Sequence, residues 1–94
     1  MQQVYLDVSE LEPPKPMTEI ITALARLQVN EYLQVFHRRE PFPLYEKLAA
    51  AGWAYQCKKL TAQQFQIFIY RATDKDKFSL QLRNKAEQPA SEPQ

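Results

Sequence analysis

Cysteine and histidine are almost absent from this chain of 94 residues, since each occurs once. A single cysteine, Cys57, cannot form an internal disulfide. One histidine and one cysteine also cannot supply the spaced ligand cluster of a structural zinc site. The sequence therefore predicts a fold held by packing alone, with no metal and no cofactor.

A strong net charge and a long hydrophobic run are also missing. Twelve lysines and arginines nearly balance 11 aspartates and glutamates, so no global field draws the chain to nucleic acid or to an anionic membrane. No apolar run approaches the ~18 residues that span a bilayer, and the first four residues lack the pattern of a signal peptide. We expect a cytoplasmic protein of one domain that binds neither nucleic acid nor membrane.

The hydrophobic patterns that are present predict four strands and two helices. Period-two alternation marks strands at residues 4–8, 32–37, 53–60 and 65–71. Spacings of three and four mark helices at 17–28 and 44–51, the first opened by Pro16 and the second closed by Gly52. The element order is βαβαββ.

This order predicts an α+β fold, a two-layer sandwich. Short crossovers make the first three strands parallel with both helices on one face, and the final hairpin makes the fourth strand antiparallel. The sheet is thus mixed and four-stranded. Residues 1–72 form the predicted domain and residues 73–94 a polar tail, in which Phe78, Leu80 and Leu82 either add a short strand near 78–82 or cover exposed surface.

The start of the first helix resembles a known family. A strand ending at residues 6–8 is followed by Leu11 and then by Pro-Lys-Pro at residues 14–16, which is similar to the TusA/SirA-like superfamily and its Cys-Pro-x-Pro motif. The resemblance covers residues 3–71 and implies the same fold. The family's persulfide transfer needs a thiolate, and Pro13 stands where that cysteine would be. Prolines at 13, 14 and 16 also lack amide donors, so this helix start is a poor cradle for an anion.

Within that superfamily the chain looks closer to an uncharacterised branch, a domain of unknown function. The resemblance rests on Leu-Glu-Pro-Pro-x-Pro at residues 11–16 and His-x-Arg-Glu-Pro at residues 37–41. Members of that branch occur alone or beside cupin-like and hemerythrin-like domains, which implies a binding or sensing role. The resemblance thus implies a non-enzymatic module rather than a sulfur carrier.

Charged residues in the loops after the first two strands form a candidate ligand site. Both loops lie at one edge of the sheet, where open α/β sheets hold ligands. The candidate residues are Glu12, Lys15, His37, Arg38, Arg39 and Glu40. Histidine has an ordinary pKa of about 6.5 and arginines bind carboxylate or phosphate, which favours a small anionic ligand. The alternative is that His37 continues the inward face of its strand and only bonds a loop.

The sheet face opposite the helices is unusually aromatic. It carries Tyr5, Tyr32, Phe36, Leu60, Phe68 and Tyr70. Large apolar patches mark partner surfaces, so we expect a homodimer, a protein partner, or cover by residues 78–82. A platform that stacks single-stranded RNA bases is the alternative, which the near-zero net charge disfavours. A weaker hypothesis keeps sulfur transfer through Cys57, although its place on the core side of its strand favours a buried structural thiol.

Overall fold

The secondary structure follows the predicted order and adds one helix. A computed structural model describes residues 1–87, without the side chains of residue 82 and residues 84–87. The elements are β1 (Gln2–Asp7), α1 (Lys15–Arg26), β2 (Glu31–His37), α2 (Phe42–Ala50), β3 (Trp53–Thr61), β4 (Gln64–Arg71), a 3₁₀ turn (Ala72–Asp74) and α3 (Lys75–Glu87). The prediction of an α+β fold with a mixed four-stranded sheet is confirmed.

The strands lie in the order β1-β2-β4-β3. β1 pairs with β2 in parallel, and β4 pairs antiparallel with both β2 and β3. β1, β2 and β3 therefore run in one direction, as predicted, with β4 between β2 and β3. Consequently the carboxyl ends of β1 and β2 lie at the same end of the sheet as the hairpin that joins β3 to β4.

The main core lies between one sheet face and the two predicted helices. Ile20 and Leu24 of α1, four residues apart, lie on the face that the sheet covers. The fully buried members of this core are Val8, Ile20, Leu33, Val35, Leu44, Leu48, Ile67 and Ile69. β2 and β4 are the central strands, and this position explains why their inward residues are the most completely buried.

Proline and glycine set the ends of the two predicted helices. Pro16 lies in the first turn of α1 and is buried. Gly52 follows α2 with φ of +86°, the left-handed conformation that glycine adopts without steric cost. Its amide donates to the carbonyl of Ala49 over 3.3 Å. At the start of α1 the Lys15 amide donates to the Glu12 carbonyl over 2.9 Å, so residues 13–16 offer no free amide to an anion.

Of the two alternatives for residues 78–82, the short added strand is not what the structure shows, because these residues belong to α3. Both edges of β4 are already paired, with β2 and with β3, so the segment that follows β4 cannot pair with it. The helix instead places Phe78 against the aromatic sheet face, where it is 1% exposed, while Leu80 is 52% exposed. The expectation that this segment covers exposed surface is the one the structure supports. Residues 88–94 of the predicted polar tail lie outside the described residues.

Candidate functional site

A cavity lies at the end of the sheet where β1 and β2 terminate. It has a volume of about 420 Å³, and we call it the strand-end cavity. Three segments form its walls: the end of β1 with the loop after it, the end of β2, and the hairpin between β3 and β4. The lining residues are Asp7, Ser9, Glu10, Phe36, His37, Arg38, Leu60, Gln63, Gln64 and Phe65.

The wall contributed by β1 carries a fixed carboxylate. The Asp7 Oδ1 accepts a hydrogen bond from the Ser9 hydroxyl over 2.6 Å and another from the Ser9 amide over 2.9 Å. These two bonds lower the pKa of Asp7 below its usual value, because they favour the charged form. Glu10 lines the same wall and is exposed. This side of the cavity is therefore acidic at neutral pH.

The hairpin and β2 contribute an apolar wall. Phe36 alternates with the core residue Val35 and so lies on the sheet face opposite α1 and α2. Leu60 lies near the end of β3, and Phe65 lies near the start of β4. Leu60 is 42% exposed, and the strand pairing is irregular between Lys59 and Thr61. The Phe36 ring meets the Tyr5 ring edge to face, with centroids 5.4 Å apart. An apolar group of a ligand would find aromatic and aliphatic surface here.

His37 lines the cavity but is almost fully buried. It shares the inward face of β2 with Leu33 and Val35 and is 8% exposed. Its Nδ1 accepts a hydrogen bond from the Arg39 amide over 3.2 Å. Burial lowers the pKa of His37, and the charges of Arg39 and Arg38 lower it further. These features favour the alternative in which His37 continues the inward face of its strand and bonds a loop, and its role as a proton carrier stays a prediction.

The structure brings together three of the six residues predicted to form a ligand site and places the other three apart. His37 and Arg38 line the cavity. Glu12 is 80% exposed and faces Arg38, with Oε2 and Nη2 3.6 Å apart. Lys15 and Arg39 are exposed beyond the lining.

Glu40 turns to the helix side of the sheet. Its Oε2 accepts a hydrogen bond from the Tyr45 hydroxyl over 3.0 Å. The Tyr45 ring in turn stacks on Tyr55, with centroids 3.9 Å apart. Glu40 therefore belongs to a cluster beside α2 and not to the cavity.

Cys57 belongs to this second cluster. It lies half-buried on the inward face of β3. Burial raises the pKa of the Cys57 thiol; a hydrogen bond with Tyr45 opposes the increase, and the nearby Glu40 carboxylate adds to it. Sulfur transfer requires a thiolate, so this environment disfavours the sulfur-carrier hypothesis.

The aromatic sheet face is divided between α3 and the cavity. Tyr32 and Tyr70 are each 2% exposed because Phe78 packs against them, and Phe68 lies partly buried beside them. Tyr5 and Phe36 lie beyond this cover, toward the cavity, and Tyr5 is 53% exposed. The predicted interaction face is thus covered by the chain's own helix at one end and uncovered at the other.

The described residues contain no group of three or more histidine, cysteine, aspartate or glutamate side chains placed to hold a metal ion. In the same part of the chain, no helix has both the length and the apolar character needed to span a membrane.

Sequence reasoning missed most of the cavity wall. Asp7 is the last residue of β1, and Ser9 and Glu10 follow it; Asp-x-Ser at a strand end is a pattern typical of a side-chain turn. The hairpin residues Gln63 and Gln64 were missed because the strand order was not part of the prediction. Since β3 runs parallel to β1 and β2, its hairpin reaches the same end of the sheet, and that direction was available from the sequence.

Comparison with known proteins places the chain in a family. The family model described as "Uncharacterized conserved protein (DUF2249)" matches residues 5–71, which comprise the second half of β1, the other three strands, α1 and α2. The comparisons with curated proteins and with solved structures gave no match.

Proposed function

Because the chain belongs to the DUF2249 family of uncharacterised conserved proteins, we propose a function from its own geometry. The protein is a non-enzymatic binding module on a TusA-like scaffold, and it holds a small ligand in the strand-end cavity. The observation that carries this proposal is the cavity itself, about 420 Å³ in volume with polar and apolar walls. Ligand sites commonly have volumes of roughly 300–1,000 Å³ and combine apolar walls with a few polar groups.

The available nucleophiles and bases favour binding over catalysis. In the resemblance to the TusA/SirA-like superfamily, Pro13 aligns with the cysteine that carries sulfur in that superfamily. The thiol of Cys57 has a raised pKa, and His37 uses Nδ1 to accept a loop amide. A general base must reach the proton it removes, and His37 is only 8% exposed where it lines the cavity.

A test needs a variant that fills the cavity and a matched variant that does not. Gln63→Trp adds a bulky ring at the exposed hairpin tip that lines the cavity. Val29→Trp adds the same ring at a position 85% exposed, just before β2 begins and therefore at the opposite end of the sheet. Ligand-observed NMR with a library of small amphipathic fragments should find compounds that bind the wild type and Val29→Trp but not Gln63→Trp. Fragments that bind all three proteins equally, or no binding to the wild type, would contradict the proposal.

Association with a second copy of this chain is a second candidate function. It is supported by the uncovered part of the aromatic face, where Tyr5 is 53% and Leu60 is 42% exposed. Sedimentation equilibrium of the wild type and Tyr5→Ser tests it. A dimer that weakens in the variant supports association through this surface, and a monomeric wild type at all concentrations excludes it.

A further inference from the structure

We propose that the ligand of the strand-end cavity carries an ammonium group on an apolar body. This inference rests on the proposed binding function and names the chemical class of the ligand. It reverses the sign of the ligand charge expected from the sequence, which was anionic. The change follows from which charged residues line the cavity and which are already paired.

Acidic groups outnumber free basic groups on the wall. Asp7 and Glu10 line the cavity, and the hydrogen bonds from Ser9 keep Asp7 ionised at neutral pH. The cation on the wall is Arg38, and it faces the carboxylate of Glu12 at 3.6 Å. Within the lining two carboxylates thus face one guanidinium, so the walls carry more negative than positive formal charge.

The remaining wall suits the apolar body of such a ligand. Phe36, Leu60 and Phe65 supply aromatic and aliphatic surface next to the carboxylates. Aromatic faces also attract ammonium groups through the ring quadrupole. The amides of Gln63 and Gln64 add donors and acceptors at the hairpin end. An ammonium group near Asp7 and a hydrophobic group near Phe36 would satisfy both walls at once.

Arg38 distinguishes two kinds of ammonium ligand. A simple amine leaves the Arg38–Glu12 pair intact. A zwitterion such as an amino acid can place its carboxylate on Arg38 in exchange for Glu12, whose exposed pairing is worth little. Both kinds share the ammonium chemistry, and the experiment separates them.

Four probes of similar shape and different charge test the proposal. They are 2-phenylethylamine, phenylalanine, 2-phenylethanol and 3-phenylpropionate, which share a phenyl ring on a short chain. Titrations followed by protein NMR should show the amine binding about fivefold tighter than the alcohol, the ratio that a pairing free energy near 1 kcal/mol gives. The anion should bind more weakly than the alcohol. Phenylalanine that binds more tightly than the amine, with the gain abolished by Arg38→Gln, identifies the zwitterion as the ligand type. Equal or weaker binding of phenylalanine identifies the amine.

Variants assign the effect to the acidic wall. Glu10→Gln and Asp7→Asn should each remove most of the preference for the amine over the alcohol and leave binding of the alcohol unchanged. Asp7→Asn keeps an oxygen that can accept the bonds from Ser9, so the loop is retained. Glu46→Gln, an exposed carboxylate on α2, is the control and should change nothing.

The outcomes separate this inference from the proposed function. Tighter binding of 3-phenylpropionate, or equal binding of the amine, the alcohol and the anion, overturns the inference. The proposed function still stands in that case if Gln63→Trp abolishes the binding. If Gln63→Trp and the wild type bind library fragments equally, the proposed function itself fails.

Discussion

The Phe78 ring of α3 lies nearly parallel to the Tyr70 ring of β4, at an interplanar angle of 13° with centroids 4.2 Å apart. The same ring meets Tyr32 edge to face at 5.0 Å. These contacts attach α3 to the sheet face that α1 and α2 leave uncovered. Of the α3 side chains that the structure describes, Phe78 is the buried one, so it is the anchor of the helix.

Replacing this anchor should release α3 from the sheet. Phe78→Ala removes the buried ring, and we expect a loss of about 3 kcal/mol in the docking of α3. Amide hydrogen exchange should become faster in α3, and a dye that binds exposed apolar surface should bind to the uncovered Tyr32 and Tyr70. Leu80→Ala, at a side chain 52% exposed, should leave both readouts unchanged. Equal protection of α3 in Phe78→Ala and the wild type would show that the ring is not the anchor.

Arg71 should stabilise the domain by closing the end of α1. Its guanidinium donates to the carbonyl of Leu27 over 2.8 Å and to that of Gln28 over 3.0 Å, and it lies 5.1 Å from the centre of the Trp53 ring. We expect Arg71→Gln to lower the free energy of unfolding by about 2 kcal/mol in urea denaturation. Arg71→Lys should retain only part of the stability that Arg71→Gln loses, because an ammonium lacks the planar, forked guanidinium that reaches two carbonyls. Full recovery by lysine would contradict this explanation, and Arg83→Gln is the exposed control.

Stability should fall when the solution is made mildly acidic. The pKa of His37 lies below 6.5 in the folded chain, so between that lowered value and 6.5 the unfolded chain binds more protons. The stabilisation is complete above 6.5 and is lost as the pH falls through the folded pKa. Protonation also removes the lone pair of Nδ1 that accepts the Arg39 amide.

Urea denaturation of the wild type and His37→Gln checks this pH dependence. At about pH 5.5 the wild type should be less stable than at about pH 7.5, and the variant should show a smaller difference. The chain contains one histidine, which simplifies the assignment. If the stability of both proteins depends on pH to the same extent, His37 is not the cause of the pH dependence. The lowered pKa of Asp7 also makes the free energy of unfolding depend on pH, but that loss of stability occurs only below about pH 3.8.

The Cys57 thiol should react slowly in the folded protein. Burial raises its pKa above 9.0, so little thiolate is present at neutral pH, and thiolate is the reactive form. Modification by an aromatic disulfide reagent should be slower than in urea-unfolded chain, with a rate that rises toward alkaline pH. Cys57→Ala is the blank for the reagent. Fast modification of the folded protein at neutral pH would revive the hypothesis of sulfur transfer through this residue.

The four strands and two helices of the domain could be predicted from the sequence, because each is marked by a pattern of nearby residues. The alternation in β2 and the three-to-four spacing in α1 each report one face of one element. Pro16 and Gly52 mark helix ends through backbone geometry that few other residues adopt. The segment after β4 was ambiguous, because three alternating apolar residues fit a strand or a helix, and the contact of Phe78 with Tyr32 and Tyr70, which local sequence does not show, accompanies the helix.

The candidate site was predicted less well because it depends on side-chain pairing across loops. The sequence places six loop residues at one end of the sheet, but it does not show their partners. In the structure Arg38 pairs with Glu12, and Glu40 bonds Tyr45 on the helix side. The position of the hairpin beside Phe36 follows from the strand order, which is a property of the whole sheet. The binding roles of these residues and the partner surface stay predictions.

The most direct test of the central claim is a map of amide chemical shifts with the tightest fragment from the library. The account predicts that perturbed amides cluster in residues 7–10, 36–38 and 60–65, around the strand-end cavity. Amides of α3 and the start of β2 should stay unperturbed. A cluster of shifts at α3, or shifts scattered over the whole sheet, would contradict the claim that this cavity is the binding site.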